Sequence, residues 1–404
     1  MKAKKMYKLA MEIFKRLAET NPQAYEPSLA NCYNNIGVLY YNTKRFTESE
    51  QMYKVAVEIR KRLAEDNPLV YEPDLAQSYN DLANLYVVIQ CFAESEKMHK
   101  AALEIRKRLA EANPQAYEPA LAQSYYNIAN LYLNTKRFDE SEEMYKLAMD
   151  IYKRFAKVTL HVYEPYLAQI YHNLAYLYND TQRFTESVQM YKAAVEIRKR
   201  LAEDNPQVYE PDLAQSYNNL ANLYFDIQSF AESEKMHKAA LEIRKRLAKV
   251  NPQAYEPDLA QSYNNLANLY FGAQRFDEVE KMHKAASIIY KRLAEDDPQA
   301  YNSHLAVDYI NIAYTSILSK QFGQAELYSI EALKVDSTKY FANTNLALAY
   351  LLQGKYADAE NIYIQYKPVL KKDFLNDFEE FAKAGIIPTE RQADVEKIKK
   401  MLNE

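Results

Sequence analysis

The chain has 404 residues, and its 51 basic and 55 acidic side chains leave a net charge of −4 spread in mixed sign, without the basic stripe that nucleic acid requires. Only 5 glycines, no tryptophan, 37 tyrosines and 14 prolines argue against strands and for helices punctuated by proline. That length exceeds what one compact core usually holds, so several domains or a repeat architecture is expected.

The N-terminal stretch "MKAKKMYKLAMEIFKRLAE" starts basic, but Lys8, Glu12, Lys15 and Arg16 interrupt any apolar signal core. No run approaches a membrane span, so a cytoplasmic protein without membrane contact is expected. Tyr7 and Ala10 match Tyr53 and Ala56 one period later. Residues 1–24 therefore read as the lone second helix of an incomplete repeat. Its open apolar face predicts contact with a partner or self-association through the N-terminal end.

Tyr25, Tyr71, Tyr117, Tyr163, Tyr209, Tyr255 and Tyr301 are each 46 residues apart, and the first six precede Glu-Pro. Six repeats of that length are expected over residues 25–300. Within one, Leu75, Tyr79, Leu82, Ala83 and Tyr86 fall on one face of a first helix, and Met98, Ala102, Ile105 and Leu109 on one face of a second. The "NPQAYEP" linker predicts the end of the second helix, with Pro119 opening the next one. A hairpin of this kind cannot bury its apolar face alone, so stacking is required.

Beyond Ala300 the register changes. A seventh repeat is expected over 301–338, with Ser329 at a position that is large elsewhere, and an eighth of 34 residues over 339–370. Residues 371–404 read as capping helices, with Phe374, Leu375, Phe378 and Phe381 on one face. Thr389 and Gln392 are expected to form a capping box before Val395, Ile398 and Leu402. A longer periodicity lies above the first: Tyr152 and Tyr290 both replace the Arg of positions 60, 106, 198 and 244, which suggests duplication of a three-repeat block. Thr159-Leu160 breaks the Asn-Pro pattern of the linkers.

The series Tyr79, Leu82, Ala83, Tyr86, Phe92, Ser95, His99 and Ala102 recurs as Tyr217, Leu220, Ala221, Tyr224, Phe230, Ser233, His237 and Ala240. This pattern resembles the tetratricopeptide repeat, and "NNLANLY" with a lengthened second helix is most similar to the kinesin-light-chain type. The resemblance implies an all-α fold, a right-handed superhelical solenoid of stacked antiparallel helix pairs whose first helices line a concave wall. It also implies a protein or extended peptide as partner, gripped along its backbone by asparagines.

Catalysis lacks an inventory. His99, His237 and His283 take the place of Tyr53, Tyr145 and Tyr191 and read as packing residues. Ser78, Ser124, Ser216 and Ser262 recur without a base or oxyanion hole. No phosphate loop is present, and Cys32 and Cys91 support neither a disulfide framework nor a metal site, so no cofactor is expected. The clusters of the Arg106-Lys107-Arg108 type read as solvated surface.

Asparagine is a mediocre helix former, yet it recurs inside the first helix. The candidate peptide-binding residues are Asn80, Asn84, Asn130, Asn173, Gln215, Asn218, Asn222, Phe225, Gln261, Asn264, Asn268 and Phe271. An amide both donates and accepts, which suits a peptide main chain whatever its side chains. The same amides could instead tie neighbouring first helices into an internal ladder. A carboxylate clamp is disfavoured, because the stripe carries no Lys or Arg. The expected function is a non-enzymatic scaffold; the alternatives are a sensor subunit of a separate effector and a self-assembling structural protein.

Overall fold

A computed structural model describes residues 2–404, and among these the regular elements are α-helices with one 3-10 turn. In chain order the helices are α1 (Lys2–Thr20), α2 (Pro22–Asn42), α3 (Phe46–Asp66), α4 (Pro68–Val88), α5 (Phe92–Ala112) and α6 (Pro114–Asn134). They continue as α7 (Phe138–Ala156), α8 (Leu160–Asp180), α9 (Phe184–Asp204), α10 (Pro206–Asp226), α11 (Phe230–Val250) and α12 (Pro252–Gly272). The last are α13 (Phe276–Asp296), α14 (Pro298–Leu318), α15 (Phe322–Val335), α16 (Ala342–Leu352), α17 (Tyr356–Lys383) and α18 (Gln392–Asn403). The chain forms two compact units, Met1–Ile197 and Arg198–Glu404, each a stack of antiparallel helix pairs.

The linker corrects the sequence reading. The first helices begin at the Asn-Pro proline rather than at the Glu-Pro proline, so Pro119 lies inside α6, which opens at Pro114. Asn113 explains the earlier start: its side chain accepts a hydrogen bond from the Ala116 N–H at 3.3 Å, while Pro114 occupies the first turn, where a missing donor costs nothing. Asn21, Asn251 and Asp297 cap in the same way.

In the seven hairpins from α2–α3 to α14–α15 the turn contains no glycine; the α16–α17 turn uses one, Gly354. Lys44, Gln90, Lys136, Gln182, Gln228, Gln274 and Lys320 adopt φ between 57° and 60°, a left-handed conformation costing roughly 1–2 kcal/mol for a residue with a Cβ. The cost is met because the next residue's N–H reaches back into the helix, as in Arg45 to the Tyr40 carbonyl at 2.8 Å. The hairpin is then closed by a buried serine. Ser49, Ser95, Ser141, Ser187 and Ser233 each donate to a first-helix carbonyl at 2.7–3.0 Å.

Successive hairpins are joined by a polar clamp at the outer end of the packing face. Tyr86, Tyr132, Tyr178 and Tyr270 donate to Glu50, Glu96, Glu142 and Glu234 of the preceding second helix at 2.9–3.0 Å. Arg137, Arg183 and Arg275 reach the last three of those glutamates at 2.6–2.8 Å while lying over the tyrosine rings. Two cations and a phenol hold the Glu96 and Glu234 carboxyls down to about 2 against the opposing effect of burial.

The C-terminal end departs twice from expectation. α17 runs unbroken through Pro368, because Tyr363, Leu370, Phe374, Phe378 and Phe381 form one continuous buried stripe. That burial outweighs the roughly 3 kcal/mol an interior proline costs. Thr389 begins a 3-10 turn and makes no capping bond, and α18 starts at Gln392 with Val395, Ile398 and Leu402 buried.

Candidate functional site

The repeated Arg on the second helix is not surface. Arg60, Arg106, Arg198 and Arg244 are 5–6% exposed, and burial lowers the pKa of Arg60, Arg106 and Arg244 from its usual value. Arg106 donates to the Ala120 carbonyl and to Ser124 Oγ of the following first helix at 3.1 and 2.9 Å, and to Gln77 Oε1 of its own first helix at 3.0 Å. Arg60 clips Asp74, Ser78 and Asn31, and Arg244 clips Asp258, Ser262 and Gln215, in the same manner. The recurring serines are thus guanidinium partners. Where Tyr152 and Tyr290 replace the Arg, they stack on Tyr166 and His304 with ring centroids 5.0 and 5.1 Å apart.

Several of the expected binding amides are engaged inside the protein. Asn127 Nδ2 donates to Asn80 Oδ1 at 2.5 Å, and Asn265 Nδ2 donates to Asn218 Oδ1 at 2.5 Å. Asn173 Nδ2 donates to Asn130 Oδ1 at 2.8 Å, and the Tyr145 hydroxyl donates to the same oxygen at 2.5 Å. Gln123, Gln169, Gln215 and Gln261 each donate to the asparagine one turn on at 2.8–3.0 Å, fixing its orientation. In the first hairpins Asp81 serves as acceptor, taking bonds from Asn34 at 2.9 Å and Gln77 at 2.7 Å. These bonds make a polar ladder that braces one first helix against the next. Its donor row, Asn127 and Asn265, escaped the sequence reading; the signal was an Asn one residue beyond the repeat spacing and four after a Gln.

Apart from Asn264, the remaining amides face outward. Asn84, Asn222 and Asn268 are exposed and make no side-chain hydrogen bond. Gln215 and Gln261 are also exposed, but their amide nitrogens are held by the ladder. Phe225 lies over Gly272, where a Cβ would stand 2.7 Å from the ring. One repeat later Leu318 occupies the equivalent position, and Phe271 is 44% exposed with its ring 6.0 Å from that of Tyr314.

Beside Phe271 lies a cavity of about 250 Å³ lined by Asn268, Phe271, Val279, His283, Asn311, Tyr314 and Thr315. Behind it His283 Nδ1 sits 3.0 Å from Asn264 Oδ1 and 3.1 Å from Asp308 Oδ1. Asp308 is fully buried, its Oδ2 has no partner, and burial raises its pKa. His99 and His237 are buried packing residues at the same register as His283, and desolvation pushes both down to about 4. No hydroxyl is hydrogen-bonded to His283, and among the described residues no cluster of His, Cys, Asp and Glu could hold a metal. No helix among them is long and apolar enough to cross a membrane.

Tetratricopeptide-repeat profiles match residues 29–68, 74–154, 166–246 and 212–292. Among solved structures, BtubC (BKLC) from P. vanneervenii is 28% identical with a TM-score of 0.52, over 62% of this chain and 92% of that one. A signal-transduction ATPase of the STAND type with a tetratricopeptide-repeat sensor, from Pyrococcus horikoshii, is 14% identical with a TM-score of 0.56, over 93% of this chain. This chain spans only 54% of that ATPase. RapI in its apo form is 13% identical with a TM-score of 0.54, over 93% of this chain and 97% of that one. No curated protein matches. With profiles over more than half its length and helix pairs stacked throughout each unit, the chain belongs to the tetratricopeptide-repeat family.

Proposed function

We propose that this protein is a cytoplasmic, non-enzymatic scaffold whose first helices hold the main chain of an extended protein segment. The observation that carries the reading is the division of labour among the asparagines. Asn80, Asn130 and Asn218 each spend the amide oxygen, and Asn173 the amide nitrogen, on neighbouring helices, whereas Asn84, Asn222 and Asn268 stand exposed with no polar atom spent. A free amide on a helix held rigid by a ladder is preorganised to pair with a peptide N–H and C=O. Neither nucleic acid nor a cofactor enters the reading. Segments selected from a random peptide display library on the full-length protein test it: the double variant Asn222→Ala/Asn268→Ala should weaken their binding about tenfold or more at unchanged helicity. Unaltered affinity would refute it.

We also propose a protein contact at α1, where Met6, Leu9 and Ile13 are 71%, 59% and 39% exposed. Exposed apolar side chains grouped on one helix mark association surfaces. Light scattering should show a mass that rises with concentration and becomes constant in Leu9→Lys/Ile13→Lys. A constant monomeric mass in both proteins would remove the case for self-contact.

A further inference from the structure

The cavity beside Phe271 differs in kind from the rest of the first-helix face. Elsewhere the exposed amides stand on open surface and can read only a main chain. Here two aromatic rings, two amides and a histidine enclose about 250 Å³, room for one long side chain but less than the roughly 300 Å³ from which pockets for drug-sized ligands begin.

Its chemistry selects the sign of the occupant. No Lys or Arg lines it. His283 does, but a proton on its Nδ1 is taken up by Asn264 and Asp308, and with Asp308 as carboxylate the pair is neutral or negative. Asp308 keeps a second oxygen, Oδ2, buried without a partner. On the other wall the Tyr314 hydroxyl donates to Glu380 of α17. Asp373 and Asp377 precede Glu380 on that helix, and burial, with Glu380 and Asp373 as like-charged neighbours, pushes the Asp377 carboxyl up to about 7. Carboxyl groups therefore stand beyond both walls of the cavity, Asp308 next to His283 and Glu380 at the Tyr314 hydroxyl, an acidic surround that favours a cation at an aromatic face.

We propose that this cavity receives a basic side chain, arginine foremost, from the segment bound along the first helices. Its guanidinium lies on the exposed face of Phe271, beside Tyr314, and donates to the oxygens of Asn268 and Asn311. The proposal rests on the scaffold reading and adds to it the one place where a side chain, not only a backbone, is read.

Blocked amino acids test the cavity without any partner. N-acetyl amides of arginine, lysine, phenylalanine and glutamate are titrated onto the full chain and followed by saturation-transfer NMR. Arginine and lysine amides should saturate, arginine the tighter, and glutamate should not. Phe271→Ala should weaken the arginine amide about tenfold by removing one ring face. Asn268→Lys should abolish its binding and admit glutamate. Both positions are exposed, so neither substitution threatens the fold. Phenylalanine or glutamate amide binding as tightly as arginine amide, or arginine binding that survives both substitutions, overturns the proposal. Display-selected segments separate the two readings. A basic residue enriched at one position and lost on Asn268→Lys supports the pocket, and segments that bind with no basic preference overturn it while leaving the scaffold standing. No bound segment at all overturns both.

Discussion

The ladder and the exposed row make opposite predictions for the same chemical change. Asn265→Ala deletes the donor that meets Asn218 Oδ1 at 2.5 Å, and Asn218 is only 8% exposed, so a carbonyl oxygen is left buried and unpaired. Such a group costs about 1–3 kcal/mol, while the better helix propensity of Ala returns about 0.5 kcal/mol, for a net loss of about 0.5–2.5 kcal/mol. Asn222→Ala removes no bond and should show only the gain of about 0.5 kcal/mol. In a stacked array the effect is local, so native-state hydrogen exchange of the α10 and α12 amides is the assay. Exchange in α12 should quicken in Asn265→Ala and stay level or slow in Asn222→Ala. Equal rates in the two variants, or faster exchange only in Asn222→Ala, would refute the assignment of brace and open amide.

Acid should loosen the array through its buried histidines. His99 and His237 have folded values near 4 against an unfolded 6.5, so below pH 6.5 the unfolded chain takes up protons that the folded chain refuses. Stability fully present above pH 6.5 is lost down to about pH 4, about 3 kcal/mol per histidine. Denaturation at pH 7 and pH 4.5 should show His99→Tyr/His237→Tyr losing less than the parent. Tyr86→Ala removes an aromatic side chain 6% exposed and its bond to Glu50, and should cost about 3–5 kcal/mol in a urea titration. Arg106→Tyr alone forfeits the clip to Ser124 and Gln77 and should lower the melting temperature. Adding Ala120→Tyr and Ser124→Ile recreates the Tyr152, Tyr166 and Ile170 arrangement and should restore it.

What was legible in the sequence was whatever repeats through burial. Leu82, Ala83 and Tyr86 announce their helix by apolar spacing, and the spacing survives because every hairpin must bury the same face. Three features were hidden for physical reasons. The turn residues were invisible because Lys and Gln, rather than Gly, take the left-handed position under tertiary constraint. Arg106 reads as surface because charge is normally solvated, and only the fold brings a serine, a carbonyl and a glutamine around it. The amides divided as they did because a side chain's partner lies one repeat away, where a shift of one residue decides between a brace and open surface. Periodicity marks the face of a helix; it does not say which atoms on that face are already spent.

The cavity lies where the sixth repeat meets the seventh. Tyr290 keeps the stacking role of Tyr152, which frees the register that holds a serine beneath Arg60, Arg106 and Arg244. After Tyr152 that register holds Ile170, fully buried; after Tyr290 it holds Asp308, also fully buried but with a carboxyl oxygen unpaired. A stack selected only for stability has no reason to keep a buried carboxylate there, since replacing buried charge by smaller or apolar groups is often neutral or stabilising. Asp308→Ser restores the residue of the other registers and leaves His283 its contact with Asn264. It should leave the melting temperature unchanged or higher while weakening the arginine amide, because the carboxyl group next to His283 is gone. A lower melting temperature with binding intact would make Asp308 a structural residue and remove the carboxylate from the account of the cavity.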